Sequence, residues 1–151
     1  MTNFEFKNVI YQKASISDSN KVLSASEIEI ITPKLKNDGA CLINAYEVAK
    51  ITDSKCVEGF VFCMVANGSQ VDDKVIRHCW NMKNGIHFDL TNEKVWTGLP
   101  GKAKEFIYYT VGEYNHVDYT NSAVNGEINF LSDVVRIAQE IDDEWQKEIN
   151  K

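Results

Sequence analysis

Three residues of this sequence, Cys41, His78 and Asp89, are of the types that carry out covalent acyl-transfer chemistry. A cysteine thiolate attacks acyl carbons when a neighbouring base or a helix N-terminus lowers the pKa of the thiol. An imidazole can be that base, and a carboxylate beside the imidazole fixes its tautomer and stabilises its charged form. We therefore predict that Cys41 is a nucleophile, that His78 is its base and that Asp89 orients His78.

Cys41 is predicted to lie at the start of a helix. Residues 36–40 before it form a turn-like stretch, and from Cys41 to about Lys50 the apolar residues recur with helical spacing. Asp38 is expected to cap this helix. A thiol at that position feels the positive end of the helix dipole, and the backbone N–H groups there can support a developing oxyanion.

His78 and Asp89 are expected to share one face of a β-hairpin. Residues 75–82 and 86–91 are predicted strands on either side of Asn84-Gly85, which is a strong signal for a two-residue turn. With that turn, His78 and Asp89 are diagonal neighbours on the same face of the sheet. A slip of one residue would separate them to opposite faces, so the predicted pair depends on this register.

Three segments of the sequence carry a further signal: Cys41-Leu42-Ile43-Asn44-Ala45-Tyr46, then Cys56-Val57-Glu58-Gly59-Phe60, and then His78-Cys79-Trp80-Asn81 followed by Gly85 and Asp89-Leu90-Thr91. They resemble segments of small papain-like and transglutaminase-like cysteine enzymes from bacteria and phages. The resemblance covers roughly residues 25–95 and includes the chain order Cys, His, Asp. It implies that Cys41 attacks an acyl carbon, that His78 shuttles the proton and that Asp89 orients His78.

Two features depart from those families. The segment Gly39-Ala40-Cys41-Leu42 differs from the Gly-Ser-Cys-Trp of papain, and it lacks the tryptophan that usually neighbours a transglutaminase-like nucleophile. The upstream glutamine, Gln12, lies too far along the chain from Cys41 to be assigned to the oxyanion. The predicted reaction therefore stays open among peptidase, deamidase and acyl transferase, with a peptide, a protein or a small amide as substrate. The alternative is a catalytically inactive binding or inhibitor protein that retains the fold.

Three further residues are predicted to lie near the site or to bind substrate, because they occupy positions in the matching segments: Asn44, Glu58 and Trp80. Each also has a structural interpretation. Asn44 can hydrogen-bond the helix start, Glu58 needs a partner if it is buried, and Trp80 suits the core.

The predicted fold is α+β, with one domain spanning residues 1–151. The helix of Cys41 comes first, then antiparallel strands that include residues 57–66 and 106–111, then a C-terminal amphipathic helix. That last helix is predicted from Phe130, Val134, Ile137, Ile141 and Trp145, with a cap at or near Ser132, and it is expected to pack on the sheet. The resemblance implies a papain/transglutaminase-like core, in which the catalytic helix packs on the antiparallel sheet.

The composition excludes several classes of protein. The net charge is −6 and the basic residues form no cluster, which disfavours nucleic acid and anionic membranes as partners. The start lacks the pattern of a signal peptide, and no apolar run is long enough to cross a bilayer, so we expect a cytoplasmic protein with reduced thiols. The spacing of the four cysteines contains no Cys-x-x-Cys pair, so no metal is predicted, and since no Gly-rich phosphate loop occurs, no other cofactor is predicted either.

Overall fold

A computed structural model describes residues 3–37, 40–67, 70–95 and 103–150 of the chain. Within these ranges, the helices and strands follow one another in this order: β1 Phe4–Phe6, β2 Val9–Tyr11, β3 Lys13–Ala14, β4 Ile16–Ser17, α1 Ala25–Ile31, α2 Cys41–Thr52, β5 Lys55–Asn67, β6 Gln70–Lys83, β7 Ile86–Phe88, α3 Leu90–Lys94, β8 Ala103–Tyr114, α4 His116–Ser122 and α5 Val134–Ile149. The predicted α+β class is confirmed.

Six strands form one curled sheet in the order β3-β8-β5-β6-β7-β4. Its two edge strands, β3 and β4, are consecutive in the chain and only Ser15 separates them, so the sheet nearly closes on itself. The pairing of β4 with β7 is parallel, whereas the other pairings of this sheet are antiparallel. The prediction of an antiparallel sheet that follows the catalytic helix is therefore wrong in two respects, because β3 and β4 precede that helix and one pairing is parallel.

The hairpin between β6 and β7 has the predicted turn. Asn84 and Gly85 have φ of 54° and 78°, and positive φ at both positions is what a type I′ turn needs. The register pairs Met82 with His87, as a two-residue turn requires.

The second strand of that hairpin is shorter than predicted. β7 ends at Phe88, and Asp89 becomes the N-cap of α3. The Asp89 carboxylate accepts a hydrogen bond from the Asn92 N–H at 3.2 Å. Because aspartate caps helices well, it starts a helix here, and the prediction of a strand through residue 91 is wrong.

Helices α2 and α5 cover one face of the long strands β5 and β6. The core under α2 includes Leu42, Ala45 and Cys79, while Ala138 and Ile141 of α5 pack with the aromatic residues of β5. The C-terminal helix is thus confirmed; Asp133 is at its N-cap position, and Phe130 lies before it. None of the helices in the described ranges is long and apolar enough to cross a membrane.

Candidate active site

Cys41 is the first residue of α2, as predicted, and it is half-buried. The N-cap residue is Ala40, which offers no side-chain oxygen to the first turn of the helix. Asp38, the predicted cap, lies outside the described residues. The first N–H groups of a helix have no carbonyl partner within the helix, so this helix start can donate hydrogen bonds to an anion beside Cys41.

The thiol of Cys41 lies next to the imidazole of His78. The two side chains interact through charge and hydrogen-bonding groups, and the backbone N–H of Cys79 also interacts with the sulfur. Burial by itself raises the pKa of the Cys41 thiol. The hydrogen bond and positive charge of His78, together with the Cys79 N–H, outweigh burial and hold that pKa below its ordinary value. The site therefore favours a thiolate.

His78 is fully buried and lies between Cys41 and Asp89. Its Nε2 is 2.8 Å from Oδ2 of Asp89, and its other ring nitrogen, Nδ1, is buried as well. Burial by itself lowers the pKa of His78, but the charge and hydrogen bond of Asp89 and the contact with Cys41 raise it to about 10. The imidazole is consequently held in its charged form, beside a thiol that favours the thiolate.

Asp89 receives three hydrogen bonds at its buried carboxylate. Besides those from His78 and from the Asn92 N–H, the hydroxyl of Tyr108 donates to Oδ2 at 2.6 Å. Burial by itself raises the pKa of Asp89, and the positive charge of His78 with these donors outweighs burial and lowers it. Tyr108 comes from β8, distant in sequence, and no local signal in the sequence identified it.

Asn44 positions the approach to the nucleophile. Its side-chain amide is buried in α2; Oδ1 accepts from the Lys36 N–H at 2.8 Å and Nδ2 donates to the Lys36 carbonyl at 2.8 Å. Nδ2 also lies 3.2 Å from the hydroxyl of Thr91, in the first turn of α3. Asn44 thus links the segment before Cys41 to α3, the helix that Asp89 caps. Its role is to position these two segments.

Glu58 lies next to α4 and α5, on the face of the sheet that α2 and α5 cover and opposite to the face that carries the His78 side chain. Its buried carboxylate accepts from the Tyr119 hydroxyl at 2.7 Å, from the N–H groups of Leu131 and Ser132 at 2.8 Å each, and from the Ser132 hydroxyl. These four hydrogen bonds hold the segment that leads into α5. Glu58 therefore shapes the surroundings of the site and does not join the three central residues.

Trp80 packs beside the base and belongs to the core. Its indole stacks on the His78 ring, with centroids 6.0 Å apart, and its Nε1 donates to Nδ1 of His87 at 3.0 Å. Gly59 lies opposite His78 in β5, and a Cβ there would clash with the Tyr109 carbonyl oxygen and lie 2.6 Å from the Trp80 ring. The glycine of the Glu-Gly pair therefore allows both the backbone of β8 and the Trp80 ring to approach β5 closely.

A cleft of about 390 Å³ opens beside Cys41 and His78. The segment before α2, the strand β6, helix α3 and helix α5 all contribute to its walls. The residues that line it are Lys36, Asn37, Ala40, Cys41, Lys74, Val75, Ile76, Arg77, His78, Thr91, Val95, Phe130, Val135, Ala138, Gln139 and Asp142.

The cleft follows an edge of β6. The N–H of Val75 donates to Oδ1 of Asp142 at 2.9 Å, and the N–H of Cys79 donates to Cys41, so neither points to β5. Because the N–H and C=O groups of a strand alternate between its two edges, those of Arg77 point to the same side as these two. The backbone of Arg77 thus faces the cleft, one residue before His78.

The described ranges contain no group of three or more His, Cys, Asp or Glu residues arranged to hold a metal ion. The thiols of Cys56, Cys63 and Cys79 are buried, in contrast to the half-buried thiol of Cys41. Cys41 is therefore the cysteine most open to a reagent or a substrate.

The arrangement supports nucleophilic chemistry at Cys41, with a buried imidazolium and carboxylate behind it. No protein-family model, no curated protein and no solved structure matches the chain.

Proposed function

We propose that the protein is a cysteine-dependent amide-bond enzyme that acts through a thioester, built on a papain/transglutaminase-like core. The observation that carries the proposal is the arrangement of three side chains: His78 lies between Cys41 and Asp89 and interacts with both, and a cleft opens beside Cys41 and His78. Its geometry matches the requirements of a thiolate nucleophile, a base that takes and returns one proton, and a carboxylate that orients the base.

In the first half of the reaction, the Cys41 thiolate attacks the carbonyl carbon of an amide and the carbonyl oxygen becomes an oxyanion. The N–H groups at the start of α2 are placed to donate hydrogen bonds to that oxyanion. As the tetrahedral species collapses, the C–N bond breaks, and the nitrogen leaves as an amine with the proton from His78. Cys41 then carries the acyl group as a thioester.

In the second half, neutral His78 removes a proton from the acceptor, which attacks the thioester and releases the thiolate. Water as acceptor gives a carboxylic acid, so the reaction is hydrolysis or deamidation, whereas an amine as acceptor gives acyl transfer. Asp89 keeps the imidazole oriented in both halves and stabilises its charged form. The edge of β6 that carries the backbone of Arg77 favours an extended peptide as the substrate, because such a chain can hydrogen-bond a free strand edge.

The test is alkylation of the native protein with iodoacetamide at pH 6, with the modified residue identified by peptide mass spectrometry. Ordinary thiols, with a pKa of about 8.5, are mostly protonated at this pH. We expect rapid alkylation of Cys41, and His78→Ala should slow it because the thiolate loses its imidazolium partner. The buried Cys56, Cys63 and Cys79 are internal controls.

A Cys41 that reacts at the rate of an ordinary thiol, in the parent and in His78→Ala alike, would contradict the enzyme proposal. That result would favour the inactive binding or inhibitor protein instead. A Cys41→Ala variant gives the background rate for the remaining cysteines.

A further inference from the structure

The cleft beside Cys41 carries an excess of positive charge, although the whole chain has a net charge of −6. Lys36, Lys74 and Arg77 line it, against a single carboxylate among the described lining residues, that of Asp142. Oδ1 of Asp142 already accepts hydrogen bonds from the Val75 N–H at 2.9 Å and from Nε2 of Gln146 at 3.3 Å. The cations therefore dominate the charge that the cleft presents.

Among the described residues, the ion pairs involve other cations, and none includes Lys36, Lys74 or Arg77. A cleft with one sign of charge concentrates the field between its walls and attracts ligands of the opposite sign. The cleft is thus suited to an anionic group.

Arg77 is the cation placed closest in sequence to the reacting residues. It directly precedes His78 in β6, and its guanidinium carbon lies 6.0 Å from the ring centroid of Phe130, which also lines the cleft. A guanidinium over an aromatic ring keeps its edge N–H groups available, and these can bind a carboxylate through two parallel hydrogen bonds. The apolar residues Val135 and Ala138 of the opposite wall suit the methylene groups that carry such a carboxylate.

We propose that the cleft selects peptides with an aspartate or glutamate side chain within a residue or two of the amide bond attacked by Cys41, and that Arg77 determines this selectivity. The proposal rests on the proposed function, since it names the substrate class of the same site. A side chain is favoured over a terminal carboxylate because the cleft continues along β6 from His78 to Lys74, which leaves room for the peptide to extend past the reacting bond.

The first test compares two alkylating reagents of similar size, neutral iodoacetamide and anionic iodoacetate, at Cys41. The quantity of interest is the ratio of the iodoacetate rate to the iodoacetamide rate at pH 8, where even an ordinary thiol reacts. We expect this ratio to fall about threefold to fivefold in Arg77→Gln, and to fall in the parent as salt is added. Arg136→Gln is the matched control, because Arg136 is an exposed cation of α5 that pairs with Glu140 outside the cleft; its ratio should equal that of the parent.

The second test uses two peptidyl vinyl sulfones that differ only in having aspartate or asparagine next to the reactive group. The parent should react faster with the aspartate reagent, and Arg77→Gln should lose the difference. A third reagent, with asparagine at that position and a free C-terminal carboxylate, separates side-chain recognition from terminal recognition. If it matched the aspartate reagent, the side-chain proposal would be overturned.

The outcomes distinguish this proposal from the proposed function. Equal reagent ratios in the parent and in Arg77→Gln would overturn the selectivity, whatever the reactivity of Cys41 at pH 6. A ratio that depends on Arg77, with a thiol of ordinary reactivity at pH 6, would overturn the enzyme proposal and leave the anion-selective cleft. A Cys41 that neither reagent modifies at pH 8 would overturn both, since both need an open cleft.

Discussion

The hydroxyl of Tyr108 donates a hydrogen bond to Oδ2 of Asp89, with an O–O distance of 2.6 Å, and the same Oδ2 lies 2.8 Å from Nε2 of His78. One carboxylate oxygen is thus shared by a buried phenol and a buried imidazole. The arrangement extends the site to β8, on the far side of β5 from His78. It also makes Tyr108 a positioning residue for Asp89, because the hydroxyl restricts the carboxylate to one orientation.

Replacing Tyr108 with phenylalanine should destabilise the fold. It should also raise the acid limit of alkylation, which is the pH below which Cys41 is no longer alkylated. A buried carboxylate that loses one donor costs about 1.5–3 kcal/mol in the free energy of unfolding, which urea denaturation measures. The pKa of Asp89, now lowered in part by Tyr108, should rise. Because Asp89 then takes up its proton at a higher pH, alkylation of Cys41 should be lost at a higher pH as well.

Tyr109→Phe is the matched control for that variant. Tyr109 is the next residue of the same strand, and its ring stacks on Phe60 in the core on the other face of the sheet. The Tyr109→Phe variant should have the same acid limit of alkylation as the parent. Equal shifts in the two variants would show that Tyr108 has only a packing role.

The sequence predicted those parts of the site that depend on short-range signals. The start of a helix at Cys41 follows from the turn-like approach and the helical spacing after it. The hairpin register follows from Asn84-Gly85, whose residues tolerate the positive φ of the turn. The hairpin register was enough to bring His78 and Asp89 together in the prediction, whereas Cys41 was assigned to them from the chemistry of a thiol at a helix start and from the resemblance.

The remainder depends on contacts between distant parts of the chain. Tyr108 reaches Asp89 only because β8 pairs with β5, and the parallel pairing of β4 with β7 joins strands about 70 residues apart. The role of Glu58 likewise depends on a loop that folds back from residue 131. Asp89 was predicted correctly to lie near His78 but in the wrong element. Its side chain caps α3, and this capping is favoured over a continuation of the strand β7.

Glu58 should contribute strongly to stability, although it does not touch the nucleophile. In Glu58→Gln, one acceptor oxygen becomes an NH₂ group that faces donors, and the charge that strengthens the remaining hydrogen bonds is lost. We expect a loss of about 2–4 kcal/mol in the free energy of unfolding, measured by urea denaturation. Amide exchange at Leu131 and Ser132 should also become faster.

Glu127→Gln, at an exposed position, is the control and should change neither the free energy of unfolding nor the exchange rates. Slow exchange at Leu131 and Ser132 in Glu58→Gln would contradict the role assigned to Glu58.

His78 should make stability depend on pH at alkaline values. Burial lowers its pKa, but Asp89 and Cys41 raise it to about 10 in the folded state, against about 6.5 in the unfolded chain. A group with a raised pKa stabilises the fold fully below the unfolded pKa, and this contribution disappears as pH rises through the folded value. The His78 contribution should therefore be largest near pH 6 and small above pH 10.

The measurement compares two variants that lack the reactive thiol, Cys41→Ser alone and Cys41→Ser combined with His78→Gln. Their difference in the free energy of unfolding cancels the titration of the remaining cysteines. Because Cys41 helps to raise the pKa of His78, that pKa lies below about 10 in this background, and we expect the difference to shrink as pH rises from 6 and to have vanished by pH 10. A difference that stays constant or widens over this range would mean that His78 is not held as an imidazolium in the folded protein.

Asp89→Asn isolates the charge of the carboxylate from its shape. Asparagine caps helices about as well as aspartate, so α3 should keep its start and the fold should persist. Cys41→Ala removes the nucleophile, whereas Asp89→Asn only weakens the support of the base, so its effect on turnover should be the smaller of the two. The pKa of His78 should fall well below about 10, since the carboxylate is what raises it most against burial.

Histidine ring signals followed by NMR through a pH titration measure this fall in the pKa of His78 directly, with His78→Ala used to assign the signal. If His78 titrated identically in the parent and in Asp89→Asn, the 2.8 Å contact between Nε2 and Oδ2 would not be an electrostatic pair, and the assignment of Asp89 to the site would have to be withdrawn.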